Sequence, residues 1–352
     1  KLLNVILSLI KQHSYKIWNE MNSFEKLLEY VLEIGHLKSA AACLNWEQEV
    51  FMPAAGAESR AMTLGALEKI IHQKTVSSDY KNLLETAEVE NNSTKKTPQA
   101  FFDLINRELE QNSCLSEQLA VDLAVMGSKA QLCWSKARED ESLVDEYKKV
   151  LQEFIELKKQ ALQALSDYRA KGESIYDLAL DQFEPGLNKE NADEMLEALG
   201  DSSRYLLEKI GAKAIDESVL PEFMAAPLAE QVKFAEFLVS HIGFSNQSGR
   251  LDVSTHPFTQ GLHPLDVRLT ARYTECDMRE AVSTALHEGG HGLYEQGLPN
   301  EWALTPLGEA LGLGMHESQS RFYENVIGKS LSFWKGVWAV GKEFIPLALY
   351  KA

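Results

Sequence analysis

The pentapeptide HEGGH at His287 to His291 constrains this chain more than any other stretch. On a helix each residue advances about 100°, so His287 and His291 leave the same face about 40° apart, with Glu288 beside them. Val282, Ala285, Leu286 and Leu293 gather on the opposite side. The segment reads as an amphipathic helix with its apolar stripe buried and its imidazoles turned to a cavity. Two neutral imidazoles at i, i+4 can hold one Zn²⁺, and the intervening Glu can take a proton from water on the metal. Only three of the five positions are fixed, so the rest of the chain has to support this reading.

The 352 residues suffice for one large helical domain, and 45% hydrophobic content supports a core. A net charge of −17 with no Lys/Arg-rich run argues against a nucleic-acid partner. No run of apolar residues reaches the roughly eighteen needed to cross a membrane, so no membrane partner is expected. Cysteines 43, 114, 133 and 276 form no CxxC pair and read as reduced thiols of a cytoplasmic protein. Residues 1–20 open with a short apolar run but show no small-residue cleavage site. They are set apart as an N-terminal extension, leaving 21–352 as a single helical domain.

Helical spacing begins behind Ser23, with Phe24, Leu27, Leu28, Val31 and Ile34 on one face. The stretch 45–61 reads as a loop because of Pro53 and Gly56, and the polar stretch 87–98 as a surface connection. Asn191, with Glu194 three residues on, reads as a helix start after the turn at Pro185–Gly186, and Pro227 opens a further helix that Gly243 ends. The character changes at 248–275. RLDVSTHPF and DVRLTARYT both alternate apolar and polar residues. Joined by TQGLHPL, they predict a β-hairpin beside the HEGGH helix, a strand edge on which an extended peptide can pair.

A catalytic zinc takes three protein ligands and one open position. Tyr294 and Gly297 stand where a longer histidine motif would need Gly and His, which leaves downstream carboxylates: Glu295, Glu301, Glu309, Glu317 and Glu324. Glu295 continues the same helix and would have to curl back. The segment from Thr305–Pro306 to Gly328 reads as one helix carrying both Glu309 and Glu317, and spacing alone does not separate these two.

The runs HEGGHGLYEQG and TPLGEALGLGMHESQSRFYEN closely resemble the M32 family of metallocarboxypeptidases, related to carboxypeptidase Taq. The resemblance extends back to HPF (His256–Phe258), to LHPLDVRLTARY with its DxRxT pattern, and to NWEQEVFMPAAGAESRA. It implies a mostly α, zincin-like fold with a deep groove. It implies His287, His291 and Glu317 as metal ligands and Glu288 as general base, with Glu309 demoted to a structural role. Asp266, Arg268, Thr270, His256 and His316 would lie near the substrate. Zn²⁺ is the implied cofactor, with Co²⁺ also suited to these donors. Peptides are the implied substrates, shortened from the C-terminus, and the implied assembly is a homodimer.

The family's later motifs, IRxxAD and GxxQDxHW, to which reading of the substrate carboxylate is attributed, do not appear in the sequence. The domain is therefore read as incomplete at its C-terminus, with metal binding, weak or no carboxypeptidase activity and an exposed apolar surface expected. The competing readings are a zinc endopeptidase or aminopeptidase of the HExxH–Glu type, and a non-catalytic metal-binding helical fragment.

Overall fold

The computed structural model describes residues 20–211, 226–274 and 277–345. Residues 1–19 of the expected extension, and Cys276, lie outside the described residues. Helix α1, Ser23–Val50, is opened by Asn22 rather than Ser23. The Asn22 side chain accepts from the Glu25 backbone while Glu25 reaches back to the Asn22 backbone, a complete capping box. The helix runs straight through NWEQEV, where the sequence predicts a loop. Glu47 is held there by Arg60, and Gln48 accepts from the Ser128 hydroxyl at 2.6 Å. The break falls only at Phe51–Pro53, where proline excludes helical geometry from its predecessor.

Helix α2 is Ala57–Thr75 and α3 is Ser78–Thr94. The latter absorbs most of the expected connection over 87–98, since that stretch contains no Gly or Pro until Pro98. Asn91 ends it by bonding the backbone of Thr97 on both sides of its amide. Then come α4 (Gln99–Ser113), α5 (Glu117–Glu139), α6 (Val144–Arg169) and α7 (Ile175–Phe183). Leu27, Val31 and Ile34 of α1 pack with Tyr80, Leu84, Phe101, Phe102 and Ile105 to form the first core. Helix α8, Lys189–Ile210, starts three residues earlier than expected because Asn188, not Asn191, caps it. It carries no buried residue, and Leu196, Leu199, Leu207 and Ile210 are exposed. Helix α9, Leu228–His241, follows Pro227 as predicted.

The β region differs from the expected hairpin. Strands β1 (Gly249–Val253), β2 (Thr259–His263) and β3 (Asp266–Ala271) form a sheet in the order β1-β3-β2. The two alternating segments pair parallel, and the supposed connection TQGLH is itself a strand, antiparallel to β3. Alternation assigns faces but not strand direction. TQGLH shows no apolar alternation, and Leu262 is its one buried residue. A Cβ on Gly261 would come within 2.1 Å of the Glu295 carboxylate.

Helix α10, Met278–Gln296, lies under the sheet. Val267 and Leu269 pack with Ala285 and with Ala235, Val239 and Phe244. The expected single helix from 305 to 328 is interrupted. A short 3₁₀ turn at Pro306–Gly308 is followed by extended backbone at Glu309, then helix α11, Leu313–Arg321, then a π-helical turn, Phe322–Ile327. Glu309 and Glu317 therefore do not share a helix. Helix α12 is Leu331–Val340.

Candidate metal centre

Helices α10 and α11 meet where Gly290 removes a side chain. A Cβ there would stand 2.8 Å from both the Gln319 carbonyl and the Ser320 Cα. This approach of backbone to backbone brings Glu317 over the two histidines. Glu317 Oε2 is 3.5 Å from His287 Nε2 and 3.3 Å from His291 Nε2. One ligand atom from each of the three residues falls within 4.8 Å of the others. Donors about 2.1 Å from a tetrahedral zinc stand about 3.4 Å apart. The three residues thus fit a metal ion by spacing as well as by type.

Electrostatics point the same way. Burial, with His316 and His287 nearby, pushes the His291 imidazole down to about 4, so it is neutral and its nitrogen lone pair is free. Burial pushes the Glu317 carboxyl up, but the Ser320 hydroxyl, the Arg321 guanidinium and His287 outweigh it, and the carboxyl lies below its ordinary range. Arg321 Nε donates to Glu317 at 2.8 Å and Arg321 Nη1 to Glu324 at 3.2 Å. Glu324, a candidate ligand on sequence grounds, takes a different place. Its carboxylate accepts from Ser283 Oγ at 2.7 Å and faces His287 Nδ1 at 2.9 Å. Accepting the Nδ1 proton leaves the Nε2 lone pair of His287 directed at the cluster.

Glu288 is 5% exposed, and Thr259 Oγ1 donates to its carboxylate at 2.8 Å. Burial raises its pKa; the Thr259 bond and His287 oppose this, and Glu317 adds to it. His316 stacks on His291 with ring centroids 4.3 Å apart and pairs with Glu295 at 2.8 Å. It lies beside the three convergent residues without being one of them. Helix α11 is anchored from a distance: Gly314 N donates to Glu184 Oε2 at 2.7 Å, an acidic side chain at a helix N-terminus. Thr259 and Glu184 reach the centre from remote parts of the sequence and were not legible as site residues, whereas Ser283 stands one turn before His287 on the same helix and that i, i+4 spacing is the signal that could have found it.

The other four expected substrate contacts are placed elsewhere. The pleat that turns Val267 and Leu269 toward α10 turns Arg268 the opposite way. Arg268 pairs with Asp266 at 2.5 Å and lies 4.6 Å over the Trp46 ring of α1. Thr270 is fully buried, its hydroxyl bonding Ser254 and Phe258. His256 packs edge-on against Trp134 of α5. The contacts of Asp266, Arg268, Thr270 and His256 build the sheet and its back face, and none of them is with the metal ligands.

Comparison with known proteins gives the family of the chain. The family model described as Carboxypeptidase Taq (M32) metallopeptidase matches residues 26–350. The chain is 35% identical over 333 residues to Thermostable carboxypeptidase 1 of Thermus thermophilus, covering 91% of this chain and 64% of that protein. It is 30% identical over 331 residues to Carboxypeptidase 1 of Bacillus subtilis, covering 93% and 65%. The crystal structure of an M32 carboxypeptidase from Deinococcus radiodurans R1 superposes with a TM-score of 0.75 at 26% identity, covering 94% of this chain and 65% of that one. A structure of Pyrococcus furiosus carboxypeptidase gives 0.73 at 28%, covering 93% and 65%. The chain spans a little under two thirds of the length of the curated relatives it matches.

Proposed function

The chain belongs to the carboxypeptidase Taq (M32) metallopeptidase family, and on that premise we propose that it is a zinc-dependent carboxypeptidase acting on peptides. The observation that carries the reading is the convergence of His287, His291 and Glu317 within 4.8 Å, with Glu288 buried alongside. His287, His291 and Glu317 would hold the cation, and the imidazole and carboxylate donors suit Zn²⁺, with Co²⁺ the other fit. A divalent cation at such a site supplies Lewis acidity, polarising the scissile carbonyl and acidifying water.

The remaining work falls to the chain's own groups. Thr259 fixes the Glu288 carboxylate in orientation. Burial raises the pKa of that carboxylate, which strengthens it as a proton acceptor, and the same oxygen can pass the proton to the leaving amine. Glu324 and Arg321 keep His287 and Glu317 in position.

The test uses the zinc-loaded chain with peptides that have free or amidated C-termini. Slow release of single residues from free termini only, lost in His287→Ala together with the bound zinc, is the expected result. Equal cleavage of amidated peptides would point instead to an endopeptidase. The proposal extends to a homodimer, checked by light scattering, and to a reducing, cytoplasmic setting, for which the free thiols of Cys43, Cys114 and Cys133 are the support. No helix among the described residues is long and apolar enough to cross a membrane.

A further inference from the structure

A cavity of about 530 Å³ opens beside the metal ligands. Thr259, which holds Glu288, and His316, stacked on His291, both line it. Anything seated there lies against the groups that surround the reacting bond, so its occupant is a side chain of the substrate itself. The apolar part of the wall includes Leu298 and Leu304, suited to a methylene stem. The polar part is charged. Lys38 is committed to Glu108 at 2.5 Å, and Glu295 to His316 at 2.8 Å. Glu309 stands open to the cavity, and among the described residues no side chain hydrogen-bonds or ion-pairs its carboxylate.

We propose that Glu309 sets the side-chain preference of this centre, and that the cavity takes the cationic side chain of a C-terminal arginine or lysine. The inference rests on the carboxypeptidase reading and adds the substrate class to it. The charge balance carries it: among the described residues of the cavity wall, the carboxylates of Glu295 and Glu309 stand against the one cation Lys38, which is itself shared with Glu108, so the wall is net negative. Burial of the surroundings pushes the Glu309 carboxyl up, Lys38 opposes this, and Glu108 and Glu295 add to it. An entering guanidinium or ammonium does what Lys38 does and holds the carboxylate ionised. An entering carboxylate meets like charge, and a neutral side chain leaves Glu309 without a partner.

The experiment compares peptides identical except for a C-terminal arginine, citrulline, leucine or glutamate. Citrulline keeps the shape of arginine and removes its charge. The zinc-loaded chain should favour arginine over citrulline in kcat/KM by roughly tenfold or more, the size of one partly desolvated charge pair. In Glu309→Gln that ratio, taken within the variant so that any general loss cancels, should fall toward one. In Glu309→Lys it should turn toward glutamate. Calorimetry with free L-arginine and L-citrulline provides a readout independent of turnover, with the same preference expected. An unchanged arginine-to-citrulline ratio in Glu309→Gln, or equal binding of the two amino acids to the parent chain, overturns the proposal. Absence of hydrolysis of every peptide, with arginine binding preference intact, sinks the carboxypeptidase reading and leaves the charge selectivity of the cavity standing.

Discussion

Glu324 Oε2 lies 2.9 Å from Nδ1 of His287, thirty-seven residues away in the chain. The contact depends on the π-helical turn Phe322–Ile327, whose wider winding follows directly on the helix that carries Glu317. On the proposed metal reading, one segment thereby supplies a ligand at Glu317 and, seven residues on, the group that orients a different ligand. Removing the carboxylate in Glu324→Ala should weaken zinc affinity by about 10- to 100-fold, as loss of such supporting groups does elsewhere. Competition with a chelator of known affinity measures it. Unchanged affinity would show that the His287 ring is fixed by packing alone.

The close meeting of α10 and α11 gives a second prediction. In Gly290→Ala the new methyl would face backbone at 2.8 Å, which cannot rotate away, so α11 must shift. Overpacking of this kind destabilises by about 1–3 kcal/mol. Because the shifted helix carries Glu317, metal affinity should fall together with Tm. Gly289→Ala is the control. Its methyl would meet the end of the Ile242 side chain at 2.7 Å, which can move, so both effects should be smaller.

Binding and chemistry separate at Glu288, which is not among the three convergent ligands. Glu288→Gln keeps the shape, and its amide carbonyl still accepts from Thr259. Zinc content should match the parent, while peptide release falls by about 10²- to 10⁴-fold, the usual worth of a positioned proton acceptor. Parallel loss of zinc would mean that the residue serves the site structurally.

Glu49 offers a test remote from the metal. Burial pushes its carboxyl up to about 7 from the ordinary 4.5. Between those values the folded chain holds a proton that the unfolded chain has released, so stability falls as pH rises through that window. The contribution is fully present below about 4.5 and lost above about 7. Glu49→Gln removes this titration. Thermal melts across the window should show a flatter profile for the variant and a higher Tm than the parent near neutrality. Parallel profiles would remove Glu49 as a source of pH dependence.

The periodicity of the sequence placed α10 and its ligand pair, because two residues four apart on a helix share a face whatever the rest of the chain does. It placed the first core through Leu27, Val31 and Ile34 for the same reason, and Pro227 marked a helix start because proline lacks the amide that a first turn leaves unused. Family resemblance, not spacing, chose Glu317 over Glu309. The structure gives the physical ground: Gly308 to Gly312 break the helix, so one carboxylate reaches the histidines and the other faces the cavity. Local pattern misread TQGLH as a connection, since Leu262 is the one buried side chain in the strand and a single apolar residue makes no alternation. The sequence by itself determined the histidine pair on one helix face and a short set of candidate carboxylates downstream. Tertiary structure alone decided how they are held, through Thr259 on Glu288, Ser283 and Glu324 behind His287, and Glu184 at the start of α11. Those contacts join residues 29 to 130 positions apart, and hydrogen bonds over such separations leave no period in the chain.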